Sequence, residues 1–135
     1  MRSAIFKVLV IGLFVTGCKR QNRQLNQWIQ NSDSAAINYF QGNGSMDTVV
    51  AVKIIRDKNI IEQLGNFISS DIIKEKAGCG VDGSLHFFKD GMVMQDIYFR
   101  MNDDGCNQFT FSFEKENRAA RLSAEAKKLL LQLKK

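Results

Sequence analysis

The sequence predicts an α+β domain: an antiparallel four-stranded sheet with packed helices, in the order α-β-α-β-β-β-α, held by one disulfide. Three features carry that expectation. Between residues 84 and 113, three strand-like segments follow one another across turn-forming residues. Helical periodicity brackets them, before residue 70 and after residue 122. Of three cysteines, Cys79 and Cys106 stand as a pair once the N-terminal Cys18 is set aside.

Taken in order, Leu25, Trp28 and Ile29, then Ala36, Tyr39 and Phe40, recur at helical spacing and predict a helix over 24–40. Gly42-Asn43-Gly44 ends it. Thr48–Arg56 is rich in β-branched residues and apolar on both faces, which predicts a central strand. Asn59 with Glu62 reads as a capping box opening a helix, with Ile60, Ile61, Leu64, Phe67 and Ile68 on one face. Gly65 weakens that helix by about 1 kcal/mol. Residues 71–83 read as a flexible connection. Ser84–Lys89 and Met92–Met101 flank Asp90-Gly91, a hairpin signal. After Asn102-Asp103-Asp104-Gly105 comes Cys106–Phe113, with Phe109, Phe111 and Phe113 alternating against Gln108, Thr110 and Ser112, the pattern of a half-buried antiparallel strand. A closing helix over 123–134 starts at the N-cap Ser123 and buries Ala126, Leu129, Leu130 and Leu133. Its terminal lysines suit the helix dipole. Proline is absent, so turns rest on Gly, Asn and Asp.

Residues 1–17 combine a basic start (Arg2, Lys7) with the apolar run Val8–Val15 and a small-residue end. That run is far below the roughly 20 residues of a membrane-spanning helix and reads as a secretory signal. Val15-Thr16-Gly17-Cys18 resembles the lipobox of bacterial lipoproteins. The resemblance implies cleavage before Cys18, a diacylglycerol on its thiol and acylation of the new amine. Two or three chains then hold the protein on a membrane, at about 0.8 kcal/mol per buried CH₂. Lys19-Arg20-Gln21-Asn22-Arg23 lacks both the aspartate that retains such proteins in the inner membrane and the acidic cluster of surface export. An outer-membrane lipoprotein facing the periplasm is expected. Residues 18–32 form a polar basic tether running into the first helix, and 33–135 a single domain.

Charge is unevenly placed. Residues 19–32 hold three basic groups and no acid, 33–116 are net −5, and 117–135 are net +5. A basic segment beside a lipid anchor either attracts anionic headgroups, at about 1 kcal/mol per charge, or is simply solvated. Nucleic acid is not an expected partner, because the basic residues lie at the two ends of an envelope protein. With Cys18 lipidated, Cys79 and Cys106 are an even pair in an oxidising compartment, and a disulfide between them contributes about 3–4 kcal/mol.

The segment Cys79-Gly-Val-Asp-Gly-Ser-Leu-His-Phe-Phe-Lys-Asp-Gly91, with Asp96-Ile-Tyr-Phe99, Cys106 and Leu122-Ser-Ala-Glu-Ala-Lys127, resembles small secreted or lipidated proteins of Bacteroidota. The resemblance covers the last half of the chain. It supports the domain and the cysteine pair and implies no activity.

No catalytic constellation stands out. His86 is the only histidine, too few for a His-rich metal site, and a triad would need a nucleophile and an orienting acid that the sequence does not place. Cys79 as a thiol nucleophile conflicts with its pairing to Cys106. Asn102–Gly105 lacks the spacing of a calcium loop. Asp82 and Asp96 suggest a glycosidase pair only if they are near one another. Neither metal nor cofactor is expected. The remaining feature is a semi-apolar sheet face of His86, Phe88, Met94 and Tyr98, opposite in parity to Leu85, Phe87, Val93, Ile97 and Phe99. Either the Trp28 helix covers it as a second core layer, or it is a binding surface. The expected function is a non-catalytic envelope binding module with a protein or envelope-component partner, in toxin immunity, periplasmic enzyme inhibition or scaffolding. A small hydrolase acting on peptidoglycan or lipid is the alternative.

Overall fold

The computed structural model describes residues 22–135; the signal peptide, the lipobox and Cys18 lie outside them. Asn22 is the N-cap of the first helix, its side chain accepting from the Leu25 amide at 3.1 Å. Helix α1 (Arg23–Gln30) buries Leu25 and Ile29. It stops at Asn31, and the chain then extends as β1 (Ser34–Phe40). The helix expected over 24–40 is therefore a short helix followed by a strand. Ala36, Tyr39 and Phe40 satisfy a helical spacing, but Ala35, Ile37 and Tyr39 also alternate, and it is these that face the core.

Strand β2 (Val49–Ile55) follows, then α2 (Lys58–Ser69) and the two-residue β3 (Ile72–Ile73). Strands β4 (Gly83–Lys89), β5 (Met92–Arg100), β6 (Gln108–Phe113) and β7 (Glu116–Arg121) precede α3 (Ala124–Lys134). Every pairing is antiparallel, and the sheet runs β2-β1-β4-β5-β6-β7-β3. Seven strands replace the expected four. Three were hidden for separate reasons. β1 passes as helix, β3 is two residues of a segment that reads as loop, and β7 (Glu-Asn-Arg-Ala-Ala-Arg) has little β propensity of its own. The β6–β7 turn also gives no glycine signal: Glu114 and Lys115 take it at φ 53° and 65°.

Two further expectations change. Thr48–Arg56 contains β2, but at the sheet's edge, where Val49, Val50, Val52 and Ile54 are exposed. The N-cap of α2 is Asp57, accepting from the Asn59 amide at 2.9 Å, and not Asn59 itself. The Ser123 cap accepts from Ala126 at 3.1 Å, as expected.

Leu25 and Ile29 of α1, Ile61, Leu64 and Ile68 of α2, and Ala126, Leu129 and Leu130 of α3 share one cluster with Ile37, Leu85, Phe87, Ile97, Phe99, Phe109 and Phe111. All three helices of the described residues therefore lie on one face of the sheet. Gly65 lets α1 and α2 pack closely: a Cβ there would stand 2.9 Å from Asn26 Oδ1 and 3.1 Å from Ile29 Cγ2. Its helix-weakening effect is the condition for that contact. Tyr39 is buried between the sheet and α3, donating its hydroxyl to the Leu130 carbonyl at 2.6 Å. Burial pushes its pKa up to about 12.

The far end of the β4–β5 pair is held by a polar node. Asp82, 1% exposed, accepts from Arg100 Nη1 at 2.5 Å and from the Met101 and Asn102 amides at 2.7 and 2.9 Å. The Cys79–Cys106 disulfide, with Cα atoms 5.6 Å apart, joins the loop before β4 to the turn before β6.

Candidate functional site

The geometry of the helix-free face begins with a turn. Asp90 and Gly91, at φ 51° and 77°, close a two-residue hairpin whose twist matches the strands. Simple continuation would set Phe87 opposite Met94 and His86 opposite Gln95. Instead Phe88 pairs with Val93 and Phe87 with Gln95, so Met94 is an extra residue in β5, a β-bulge. Its carbonyl is taken by the Trp28 indole N–H at 2.6 Å, which ties α1 to the bulge.

The bulge has two consequences. Val93 leaves the parity of Ile97 and Phe99 and stands 53% exposed beside Phe88, so it is not part of the core set in which the alternation places it. Asp96 moves opposite His86. His86 Nδ1 lies 2.5 Å from Asp96 Oδ1, and His86 Nε2 lies 3.0 Å from Ser84 Oγ. Asn38 of β1 donates to that same Ser84 oxygen at 3.2 Å. With Nδ1–H facing the carboxylate, Nε2 accepts from the serine hydroxyl, so the partners select the tautomer.

Sequence reasoning names His86, and Asp96 only as a carboxylate to set beside Asp82; it does not name Ser84 and does not join Asp96 to His86. The i, i+2 spacing of Ser84 and His86 on one strand was a legible signal. Asp96 shares the alternation of Met94 and Tyr98, but a regular two-residue hairpin would set Gln95 opposite His86, so only the bulge makes the His86–Asp96 pair.

This Ser84–His86–Asp96 chain has the connectivity of a nucleophile, base and orienting acid. Its setting differs from that of a nucleophile. Ser84, the second residue of β4, is 3% exposed, paired to Asn38 on one side and Tyr98 on the other, and its oxygen already receives the Asn38 amide. A nucleophile must meet its substrate, and oxyanion donors must be free to point at it. Here the serine hydroxyl is enclosed within the ladder of three strands.

Phe88, Met94 and His86 are half-buried and Tyr98 is exposed. Val93, Met94, Gln95, Asp96, Tyr98 and Ser112 line a shallow hollow of about 380 Å³. Val52 and Ile54 of β2 pair with Asn38 and Ala36 and continue this face to the sheet edge. Trp28 reaches the bulge, but α1 packs its buried residues on the other side of the sheet.

The other candidates resolve into structure. Cys79 is bonded to Cys106. Asp82 is enclosed by Arg100 and backbone amides just before β4, four residues ahead of His86, whose strand partner is Asp96, so it does not form a pair with Asp96. Asp103 takes the Gly105 amide at 3.0 Å as a turn residue. Among the described residues, no group of three or more His, Cys, Asp or Glu side chains is placed to hold a metal. No helix among them is long and apolar enough to cross a membrane.

The chain matches no family model, and comparison with curated proteins and with solved structures finds no similar protein.

Proposed function

We propose that this protein is an envelope lipoprotein, anchored through lipidated Cys18 in the outer membrane on its periplasmic side. Its domain is a non-catalytic binding module whose partner is a protein or another envelope component. One observation carries the binding part: the three described helices cover a single face of a wide sheet, leaving Phe88, Val93, Tyr98, Val52 and Ile54 wholly or partly open on the other. Monomers rarely leave contiguous apolar surface bare without use, and exposed aromatics are common interface anchors. The Ser84–His86–Asp96 chain stiffens this surface and supplies hydrogen-bonding groups at its centre. Toxin immunity, inhibition of a periplasmic enzyme and scaffolding all use such a face.

The hydrolase reading has the same Ser84–His86–Asp96 connectivity in its favour and the enclosure of Ser84 against it.

Photo-crosslinking in cells tests both. Probes at Val93 and Tyr98 are expected to give discrete adducts that a probe at Lys128, on the helix side, does not. Equal adduct patterns from both sides would remove the face as a binding surface. Covalent capture of Ser84 by a fluorophosphonate would overturn the non-catalytic assignment. The anchor is tested separately: Cys18→Ala should abolish incorporation of labelled fatty acid and leave uncleaved precursor, and a labelled variant would overturn it.

A further inference from the structure

β2 ends the sheet, and among the described residues no strand pairs with its outer edge. Such an edge presents free amide N–H and carbonyl groups, whose complement is another extended chain. Proteins commonly guard edges with bulges and lysines, and β2 has both. Its pairing with β1 shifts between Tyr39 and Phe40, with Val50 as the extra residue, which leaves Ala51–Ile55 in regular register.

The two faces of that regular stretch differ in chemistry. Lys53 pairs with Ile37 and so lies on the helix side, where its Nζ donates to the Lys135 carbonyl at 3.2 Å. Lys134, 5.6 Å from the centre of the Tyr39 ring, and Lys135 stand exposed on that same side. On the opposite side Val52 and Ile54 are exposed, uncharged and continuous with the open face.

Side chains of an incoming strand alternate between these two sides. Every second residue would stand beside Lys53, Lys134 and Lys135, and the others beside Val52 and Ile54. A second copy of β2 is a poor occupant, because it would bring its own Lys53 and helix lysines to the lysine-bearing side.

We propose that the β2 edge is the docking site for an extended segment of a protein partner, one that alternates acidic with β-branched or aromatic residues. This rests on the reading of the domain as a binding module and narrows its partner to a protein strand of stated pattern. Lys53 and the α3 lysines act as a filter, repelling like strands and admitting acidic ones.

Hydrogen–deuterium exchange on the full chain tests this, with a short capped peptide alternating glutamate and valine as probe and its lysine–valine counterpart as control. The glutamate peptide is expected to slow exchange in Ala51–Ile55 and to bind at least about tenfold more tightly than the lysine peptide. The double variant Lys53→Glu/Lys134→Glu should reverse that preference; should it fail to fold, the exposed Lys134→Glu alone should narrow it. Equal affinity for both peptides, protection confined to other segments, absence of binding, or a dimer formed through β2 would each overturn the proposal. Adducts at Val93 and Tyr98 that persist while β2 is indifferent to both peptides would leave the binding-module reading standing and remove this inference alone.

Discussion

The two faces of this sheet come from the same strands, residue by alternate residue, yet they are different kinds of surface. On the helix side Leu85, Phe87, Ile97, Phe99 and Phe109 are fully buried in one cluster. On the other, Ser84, His86, Asp96 and Asn38 form a hydrogen-bonded chain bordered by half-open apolar groups. Close packing makes the first face intolerant of lost volume. The second spends its hydrophobic surface on no described neighbour, so change there should register in recognition more than in stability. Neighbouring residues on one strand can thus belong to different surfaces: Phe87 to the core, Phe88 to the open face.

The adjacent phenylalanines give the largest expected contrast. Phe87→Ala should destabilise by about 3–5 kcal/mol, whereas Phe88→Ala, half-buried, should cost about 1 kcal/mol. Denaturant unfolding of the two variants measures this directly. Similar losses would mean that the open face is covered and would break the comparison.

Next in size is the disulfide, which belongs to neither face. Cys79→Ser/Cys106→Ser should lose about 2–4 kcal/mol by unfolding, while crosslinks from Val93 and Tyr98 in the folded variant stay as they are. Loss of those crosslinks would mean that the loops at the disulfide end form part of the surface.

Trp28→Phe links the faces, because a residue of the helix layer holds the bulge that orders the opposite surface. Removing the indole N–H leaves the Met94 carbonyl without its 2.6 Å partner and should cost about 1 kcal/mol. NMR resonances of His86 and Asp96 should shift although neither is a hydrogen-bond partner of Trp28. Unchanged resonances would show that the turn and strands hold the bulge by themselves.

A last contrast is a pH dependence from the helix side. Tyr39 has its pKa raised to about 12 by burial, so its contribution is fully present below about pH 10, the unfolded value, and is lost as pH rises through 12. Melts of the wild type between pH 9 and 12 should therefore fall more steeply than those of Tyr39→Phe. Parallel curves would argue that Tyr39 is solvated.

The sequence alone determines the features that short stretches of chain decide. Asp90-Gly91 specifies a two-residue turn because both positions need left-handed backbone, which Gly and Asp tolerate best. The alternation around Phe109 and Phe111 specifies a strand with one buried face, Ser123 specifies where α3 starts, and Cys79 and Cys106, the pair left when Cys18 is set aside, are the two that bond. Tertiary structure decides what depends on distant partners. Residues 34–40 suit either period, and pairing with β2 and β4 selects the strand. Ala119 and Ala120 of β7 have little preference for extended chain, and the ladder with β6 and β3 holds them there. The valines of β2 read as a central strand because local hydrophobicity records how apolar a segment is and not whether a neighbour comes to cover it. The central feature of the open face depends on the same limit. Asp96 meets His86 only because one extra residue, held from another layer by Trp28, displaces the register of the strand.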